Sequence, residues 1–129
     1  MTPPELSRCA ALGIGGFQVL ANGALLLRGF ARLPQELAKE GATTRLADLL
    51  RTAWVYGMLA NLCLSIMLLM IAAGLRAGEP LARQIACAIG VYYVLVGLGT
   101  YWFAQGRHPG FLVFSGLGLV LLTTLWLSR

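Results

Sequence analysis

Four long runs without a charged residue dominate the pattern of hydrophobic and polar positions. They extend from Cys9 to Leu27, Thr52 to Leu75, Gln84 to Gly106 and His108 to Ser128. A helix that crosses a hydrocarbon core of about 30 Å needs about 20 residues, and each run has roughly that length. The strict alternation of a transmembrane strand is missing. The pattern therefore predicts four transmembrane helices, at about 9–27, 53–75, 82–105 and 110–127.

The connections between these spans predict how the helices are arranged. Only a few residues separate spans two, three and four, at 76–80 and 106–110, so consecutive spans must be antiparallel neighbours. No internal repeat or linker divides the chain. We therefore expect residues 1–129 to form a single all-α domain, an integral membrane four-helix bundle.

The connection from Arg28 to Thr52 is long and amphipathic. Pro34 is a candidate start and Gly41 a candidate end for a short helix within it. Thr44 is a candidate cap for a second helix that continues into span two. The connector would either lie at the membrane interface or form a solvated hairpin, and the sequence leaves both open.

Composition explains why lipid must be the solvent. The chain is 58% hydrophobic and only 12% charged, whereas a soluble domain carries about 25% charged residues. The net charge of +5 comes from basic residues at the edges of the apolar runs. That distribution fits contact with lipid phosphates rather than nucleic acid.

The distribution of Lys and Arg between the two sides predicts an orientation. One side has Arg28, Arg32, Lys39, Arg45, Arg51 and Arg107, and the other has Arg8, Arg76, Arg83 and Arg129. By the positive-inside rule, the 28–52 loop is cytoplasmic and both termini are outside. We expect a multi-pass protein of the bacterial inner membrane.

Small and neutral polar residues recur at helical spacing within the spans, which places them on one face of each helix. In lipid, such a face is the one that packs against other helices. The faces consist of Ala11, Gly15, Gln18 and Asn22 in span one, Gly57, Asn61 and Ser65 in span two, Ala86, Gly90, Tyr93, Gly97 and Thr100 in span three, and Ser115 and Gly118 in span four.

Several chemistries are excluded by what the spans lack. They contain no Asp, Glu, Lys or Arg, so a proton-coupled exporter has no mid-membrane carboxylate. The only histidine, His108, reads as an interfacial polar group rather than a haem or metal ligand. Cys9, Cys63 and Cys87 have no metal or redox spacing and read as small buried hydrophobes. We predict no catalytic residue, no metal and no cofactor.

The polar groups inside the spans allow two interpretations. They are either structural, satisfying one another between helices, or they line a cavity for a neutral amphipathic molecule such as a quinone, an isoprenoid or a lipid headgroup. The amides of span one are expected to face inward and to reach span two or three, with Asn61 or Tyr93 as partner. The candidate ligand-binding residues are Gln18, Asn22, Asn61, Ser65, Tyr93 and Thr100.

The layout resembles that of small bacterial four-helix membrane proteins of the broad DoxX-like kind. The resemblance rests on one span, a polar connector and three closely linked spans, with W54-x2-G57-x3-N61-x3-S65, Y92-Y93, W102 and P109-G110. It implies a four-helix bundle and assigns no catalytic residue.

Three functions follow as hypotheses. The first is a non-enzymatic accessory or self-associating subunit of a membrane assembly, indicated by glycine-rich faces such as G13-I-G-G16 and G116-L-G118. The second is a binder or carrier of a small hydrophobic molecule. The third is an interfacial enzyme, which would have to use polar residues at the span ends: Asp48, Arg76, Glu79, Arg83, Arg107 or His108.

Overall fold

The computed structural model describes residues 2–107 and 109–128, and these residues form four α-helices without a β-strand. The helices are α1 (Pro3–Lys39), α2 (Thr44–Ala77), α3 (Pro80–Phe103) and α4 (Leu112–Leu127), with a 3-10 turn at Pro109–Phe111 before α4. Each of the four is long and apolar enough to cross a membrane. The predicted fold class, an all-α four-helix bundle, is confirmed.

Glycine ends the first two helices in the same way. Gly41 and Gly78 both have a φ near +74°, a left-handed conformation that favours residues without a Cβ. The N–H of each glycine donates to the carbonyl three residues back, and the next N–H donates to the carbonyl five back. This is a Schellman motif, which satisfies the last carbonyls of a helix. Pro80 then begins α3 directly after the second motif.

The long connector differs from the prediction. Pro34 does not start a separate helix, because α1 runs without a break through it to Lys39. A proline removes only one backbone donor, and its neighbours here are good helix formers such as Leu, Glu and Ala. The cap of α2 is also one residue earlier than predicted, since Thr43 Oγ1 accepts from the Leu46 N–H at 3.4 Å.

α1 and α2 are longer than a bilayer requires. They contain 37 and 34 residues, which at 1.5 Å per residue gives about 50–55 Å against a hydrocarbon core of about 30 Å. The charged residues from Arg28 onward mark where α1 leaves the apolar run. The connector is therefore mainly helical, and residues 28–52 form a two-helix arm.

By its internal contacts the chain divides into two compact units. One contains residues 16–66, and we call it the hairpin unit. The other contains residues 1–15 and 67–129, and we call it the α3/α4 unit. The single four-span domain stays a prediction.

Glycine and serine allow α3 and α4 to pack closely in the α3/α4 unit. A Cβ added to Gly118 would lie 2.5 Å from the Gly90 carbonyl oxygen and 2.9 Å from the Val94 nitrogen. A Cβ added to Gly97 would meet the side chain and backbone of Ser115. The Ser115 hydroxyl also donates to the Val94 carbonyl at 3.2 Å. The predicted small faces of spans three and four are therefore a packed interface.

Two polar contacts secure the carboxyl end of α4 in the same unit. Arg83 donates from Nη1 to the Ser128 carbonyl at 3.1 Å and from Nη2 to the Leu125 carbonyl at 3.0 Å. The Ser7 hydroxyl, near the start of α1, donates to the Thr124 carbonyl at 3.0 Å. The Thr124 carbonyl also accepts from the Ser128 N–H, and the Leu125 carbonyl from the Ser128 hydroxyl, so Ser7 and Arg83 add further donors at the end of α4.

In the hairpin unit, α1 and α2 approach closely where the arm begins. A Cβ on Gly29 would overlap the indole nitrogen of Trp54, so only glycine admits this ring. One turn nearer the arm's tip on α2, the guanidinium carbon of Arg51 lies 5.6 Å from the centre of the Phe30 ring, a cation–π distance. The pairing of residues 29 and 30 with 54 and 51 is that of an antiparallel hairpin.

The three cysteines are not the small buried residues that the sequence suggested. Cys9, Cys63 and Cys87 are free thiols, and all three are exposed on the helix surfaces. The prediction was wrong because an apolar neighbourhood in the sequence also surrounds a residue that faces outward, where lipid rather than water is the solvent.

Candidate functional site

The predicted ligand-binding residues are buried, with one exception. Gln18 and Asn22 are each 1% exposed, Asn61 is 6% exposed, and Ser65 and Tyr93 are fully buried. Thr100 is of intermediate exposure. The hairpin unit contains Gln18, Asn22, Asn61 and Ser65. The α3/α4 unit contains Tyr93 and Thr100. The prediction that the small polar face of each span points inward is therefore confirmed for five of the six residues.

Gln18 and Asn22 pair with each other along α1. The Asn22 side-chain nitrogen donates to the Gln18 backbone carbonyl at 2.7 Å and to the Gln18 side-chain oxygen at 3.0 Å. Residues four apart face the same way on a helix, which makes this pair possible. Both N–H groups of Asn22 are used within α1. The expected bond from Asn22 to Asn61 or Tyr93 was therefore wrong.

The other end of the Asn22 amide has no partner. Its side-chain oxygen Oδ1 is buried and accepts no hydrogen bond. Reversing the Asn22 amide would not help, because it would place Oδ1 against two oxygens of Gln18, 2.7 and 3.0 Å away. A buried acceptor without a donor costs about 1–3 kcal/mol. Asn22 thus presents one unfilled acceptor in the interior of the chain.

The hydroxyls of the predicted site bond to their own helices. Ser65 Oγ donates to the Asn61 carbonyl at 2.6 Å, and Thr100 Oγ1 donates to the Val96 carbonyl at 2.6 Å. Both bonds reach back four residues, the usual way for a helical Ser or Thr to satisfy its hydroxyl. For Thr100, this bond within α3 is enough to satisfy the hydroxyl as a donor.

Tyr93 is the largest fully buried side chain and lies in an aromatic cluster. Its ring centre is 5.9 Å from that of Tyr92 and 6.3 Å from that of Phe114, in tilted and edge-on arrangements. Aromatic pairs favour these geometries. Tyr93 therefore forms part of the packed core of the α3/α4 unit.

This set of groups can bind but offers little for catalysis. Amides and hydroxyls donate and accept hydrogen bonds without titrating near neutral pH. Among residues 2–107 and 109–128, no three His, Cys, Asp or Glu side chains are grouped to hold a metal ion. His108 lies outside the described residues. Chemically, Asn22 Oδ1 can accept a hydrogen bond from a hydroxyl or an amide N–H.

Sequence reasoning missed several residues that the structure uses. Arg83 was counted only as a juxtamembrane charge, although it caps α4. Ser7 precedes the first predicted span, although it contacts the end of α4. Their positions in the sequence could have indicated these contacts, since both residues fall near a span end on the side where α4 terminates. The spacing of Gly29 and Trp54 across the hairpin was a second signal.

No protein family model matches this chain, and no curated protein or solved structure is significantly similar to it. The DoxX-like resemblance therefore stays an expectation.

Replacing Gln18 and Asn22 one at a time tests whether Asn22 Oδ1 lacks a hydrogen-bond partner. Asn22→Leu removes the unpaired Oδ1 but leaves the Gln18 side-chain oxygen without its donor, so the number of unpaired acceptors stays the same and we expect the free energy of unfolding to change by less than about 1 kcal/mol. Gln18→Leu should be worse, because it leaves an Asn22 N–H without its acceptor, at about 1–3 kcal/mol. Unfolding in lipid nanodiscs measures both. A larger loss for Asn22→Leu than for Gln18→Leu would show that Oδ1 has a partner.

Proposed function

We propose that this protein is a non-enzymatic, self-associating subunit of a membrane assembly, and that the outer face of α1 is its contact face. The observation that carries the proposal is a difference between two groups of glycines. At some glycines, neighbouring atoms of the chain occupy the space where a Cβ would lie. At others, that space is open.

Packed glycines occur on all four helices, and those on α3 and α4 include Gly97 and Gly118, which allow the two backbones to approach. The open ones are concentrated on α1. A Cβ added to Gly13, Gly16 or Gly23 would have no atom within 4 Å. Elsewhere in the helices, such open glycines occur once each on α2, α3 and α4, at Gly57, Gly99 and Gly116.

The open glycines of α1 lie opposite its buried amides. At about 100° per residue, Gly16 and Gly23 fall on one side of the helix and Gln18 and Asn22 on the other. Leu20, which shares the glycine side, is 75% exposed. α1 therefore has one face committed to the interior of the chain and one face free for another molecule.

Small residues on a free face support association in lipid. Helices in a bilayer gain nothing from burying leucine against leucine, so contact depends on close backbone approach. Glycine costs about 1 kcal/mol relative to alanine within a helix. Within the described chain, no packing contact at Gly16 or Gly23 offsets this loss of helix stability. A second copy packed on these two glycines would supply such a contact.

The two-helix arm supports a further contact outside the membrane. It exposes Leu49 at 61%, Phe30 at 49% and Leu46 at 47%. Apolar side chains exposed among charges on an extramembrane segment are typical of protein interaction surfaces. This surface suits the accessory role within a larger assembly.

Bulky substitutions on α1 test self-association. The double variant Gly16→Ile, Gly23→Ile should keep the fold and lose the oligomer, because the new side chains hold the second copy away. The matched control is Gly57→Ile, Gly116→Ile, two open and exposed glycines on other helices. Native mass in nanodiscs reports the state of each. Monomeric wild-type protein, or equal loss in both variants, would reject the proposal.

The second candidate function, a binder or carrier of a small neutral hydrophobic molecule, is favoured by Asn22 Oδ1. A hydroxyl on a quinol, an isoprenol or a lipid glycerol would supply the donor that this oxygen lacks. A molecule that co-purifies with wild-type protein and is absent from Asn22→Leu would support this role. With such a result, the subunit proposal would still hold only if the wild-type protein is also an oligomer.

We also propose a location in a bacterial inner membrane with the arm, residues 28–52, in the cytoplasm. The arm side carries six Lys or Arg residues and the other side four, and excess basic residues mark the cytoplasmic side.

Labelling of single cysteines tests this orientation after the native cysteines have been replaced. Cysteine at Thr43 should react only from the cytoplasmic side, and cysteine at Ser128 only from the opposite side. Reaction of both from the same side would contradict four spans. Reaction of Thr43 from outside would contradict only the orientation.

A further inference from the structure

A groove between the start of α3 and the end of α4 has a polar end and an apolar end. It encloses about 680 Å³ and is formed within the α3/α4 unit. This is within the usual range of about 300–1,000 Å³ for small-molecule sites. Its lining includes Arg83, Gln84, Cys87, Leu122, Leu125 and Trp126.

Among the residues that the structure describes, Arg83 is the one charged side chain that lines this groove. The residue is partly buried, and two of its guanidinium N–H groups bond to the carbonyls of Leu125 and Ser128. A guanidinium has five such donors, so three stay available. These donors match the oxygens of a phosphate, whose geometry suits the planar guanidinium fork.

The surroundings of Arg83 favour an anion. The groove adjoins the first turn of α3, and the N-cap residue Glu79 makes no side-chain bond there. Its carboxylate points instead towards Gly74, where a Cβ would lie 2.7 Å from Oε2. The positive end of the α3 dipole adds to the charge of Arg83, and within residues 2–107 and 109–128 no carboxylate side chain lines the groove.

The depth of the lining residues distinguishes a lipid from a soluble anion. Arg83 and Gln84 lie where span three begins, at headgroup depth. Cys87 is one turn, about 5 Å, deeper along α3, and Leu122 is about one turn deeper than Trp126 along α4. Trp126 itself is 67% exposed, as in the aromatic belt of an interface.

We propose that this groove is a specific site for an anionic phospholipid. The lipid phosphate binds the free N–H groups of Arg83, and an acyl chain lies along Cys87, Leu122 and Leu125. This order of polar and apolar groups is that of a phospholipid at the membrane surface. Arg83 then joins the lipid to the end of α4, and the site is independent of self-association through α1.

Native mass spectrometry of the full chain with phosphatidylglycerol or phosphatidylcholine tests the site. Arg83→Gln should weaken retention of phosphatidylglycerol about tenfold, the equivalent of one charged hydrogen bond. Cys87→Trp should weaken it similarly by filling the apolar end, and it leaves the bonds from Arg83 to α4 intact. Arg76→Gln, which removes an exposed arginine outside the groove, is the matched control.

The outcomes separate the alternatives. Loss in both groove variants with wild-type retention in Arg76→Gln supports the site, and the Cys87→Trp result decides if Arg83→Gln fails to fold. Equal retention in all variants overturns the proposal. It is also overturned if phosphatidylcholine binds as well as phosphatidylglycerol, or if inorganic phosphate alone displaces the lipid, since the occupant would then be a free anion.

Discussion

The close approach of α3 and α4 is the contact on which the rest of the α3/α4 unit depends. In lipid, a leucine on the helix surface is already in an apolar solvent, so burying apolar surface gains little free energy and does not drive helices together. What remains is dispersion between closely packed backbones and a few hydrogen bonds across the interface. Gly97 and Gly118 make that approach possible, and Ser115 adds a bond at 3.2 Å to the Val94 carbonyl. Arg83 and Ser7 then secure the end of α4 that this contact has positioned.

The same constraint explains the amides on α1. An amide that faced hydrocarbon would leave its donors and acceptors unpaired, at a cost of several kcal/mol. Gln18 and Asn22 are accordingly 1% exposed, and they satisfy most of each other's needs within one helix. Asn22 Oδ1 is buried and has no donor. One inward amide pair and an outward glycine face give α1 two different surfaces, which is why it is the helix proposed for association.

Much of this could be predicted from the sequence because lipid imposes simple rules. Four uncharged runs of sufficient length gave the helices, and the helical period of the small polar residues gave their buried faces, down to Gln18 and Asn22. Periodicity could not distinguish Gly118, which is packed, from Gly116, which is open, because only the position of a neighbouring helix separates them. Nor could it show that α1 continues through Pro34, where the propensity of the flanking residues outweighs one lost donor.

The candidate site was predicted less well than the fold. Burial of its residues followed from the pattern, but partners depend on side-chain geometry that spacing does not determine. Asn22 bonds along its own helix rather than across to another, and Thr100 bonds to the Val96 carbonyl. Arg83 had no distinguishing mark in the sequence, because its role requires the end of α4 to lie beside the start of α3.

The most direct test of close packing in lipid is a glycine-to-alanine comparison of unfolding free energies in nanodiscs. Gly97→Ala and Gly118→Ala should each destabilise the chain by about 1–3 kcal/mol, because the added Cβ meets backbone atoms and forces the helices apart. Gly99→Ala and Gly116→Ala, on the same two helices but facing open space, should be neutral or stabilising by up to about 1 kcal/mol. Equal effects in the two pairs would contradict the account.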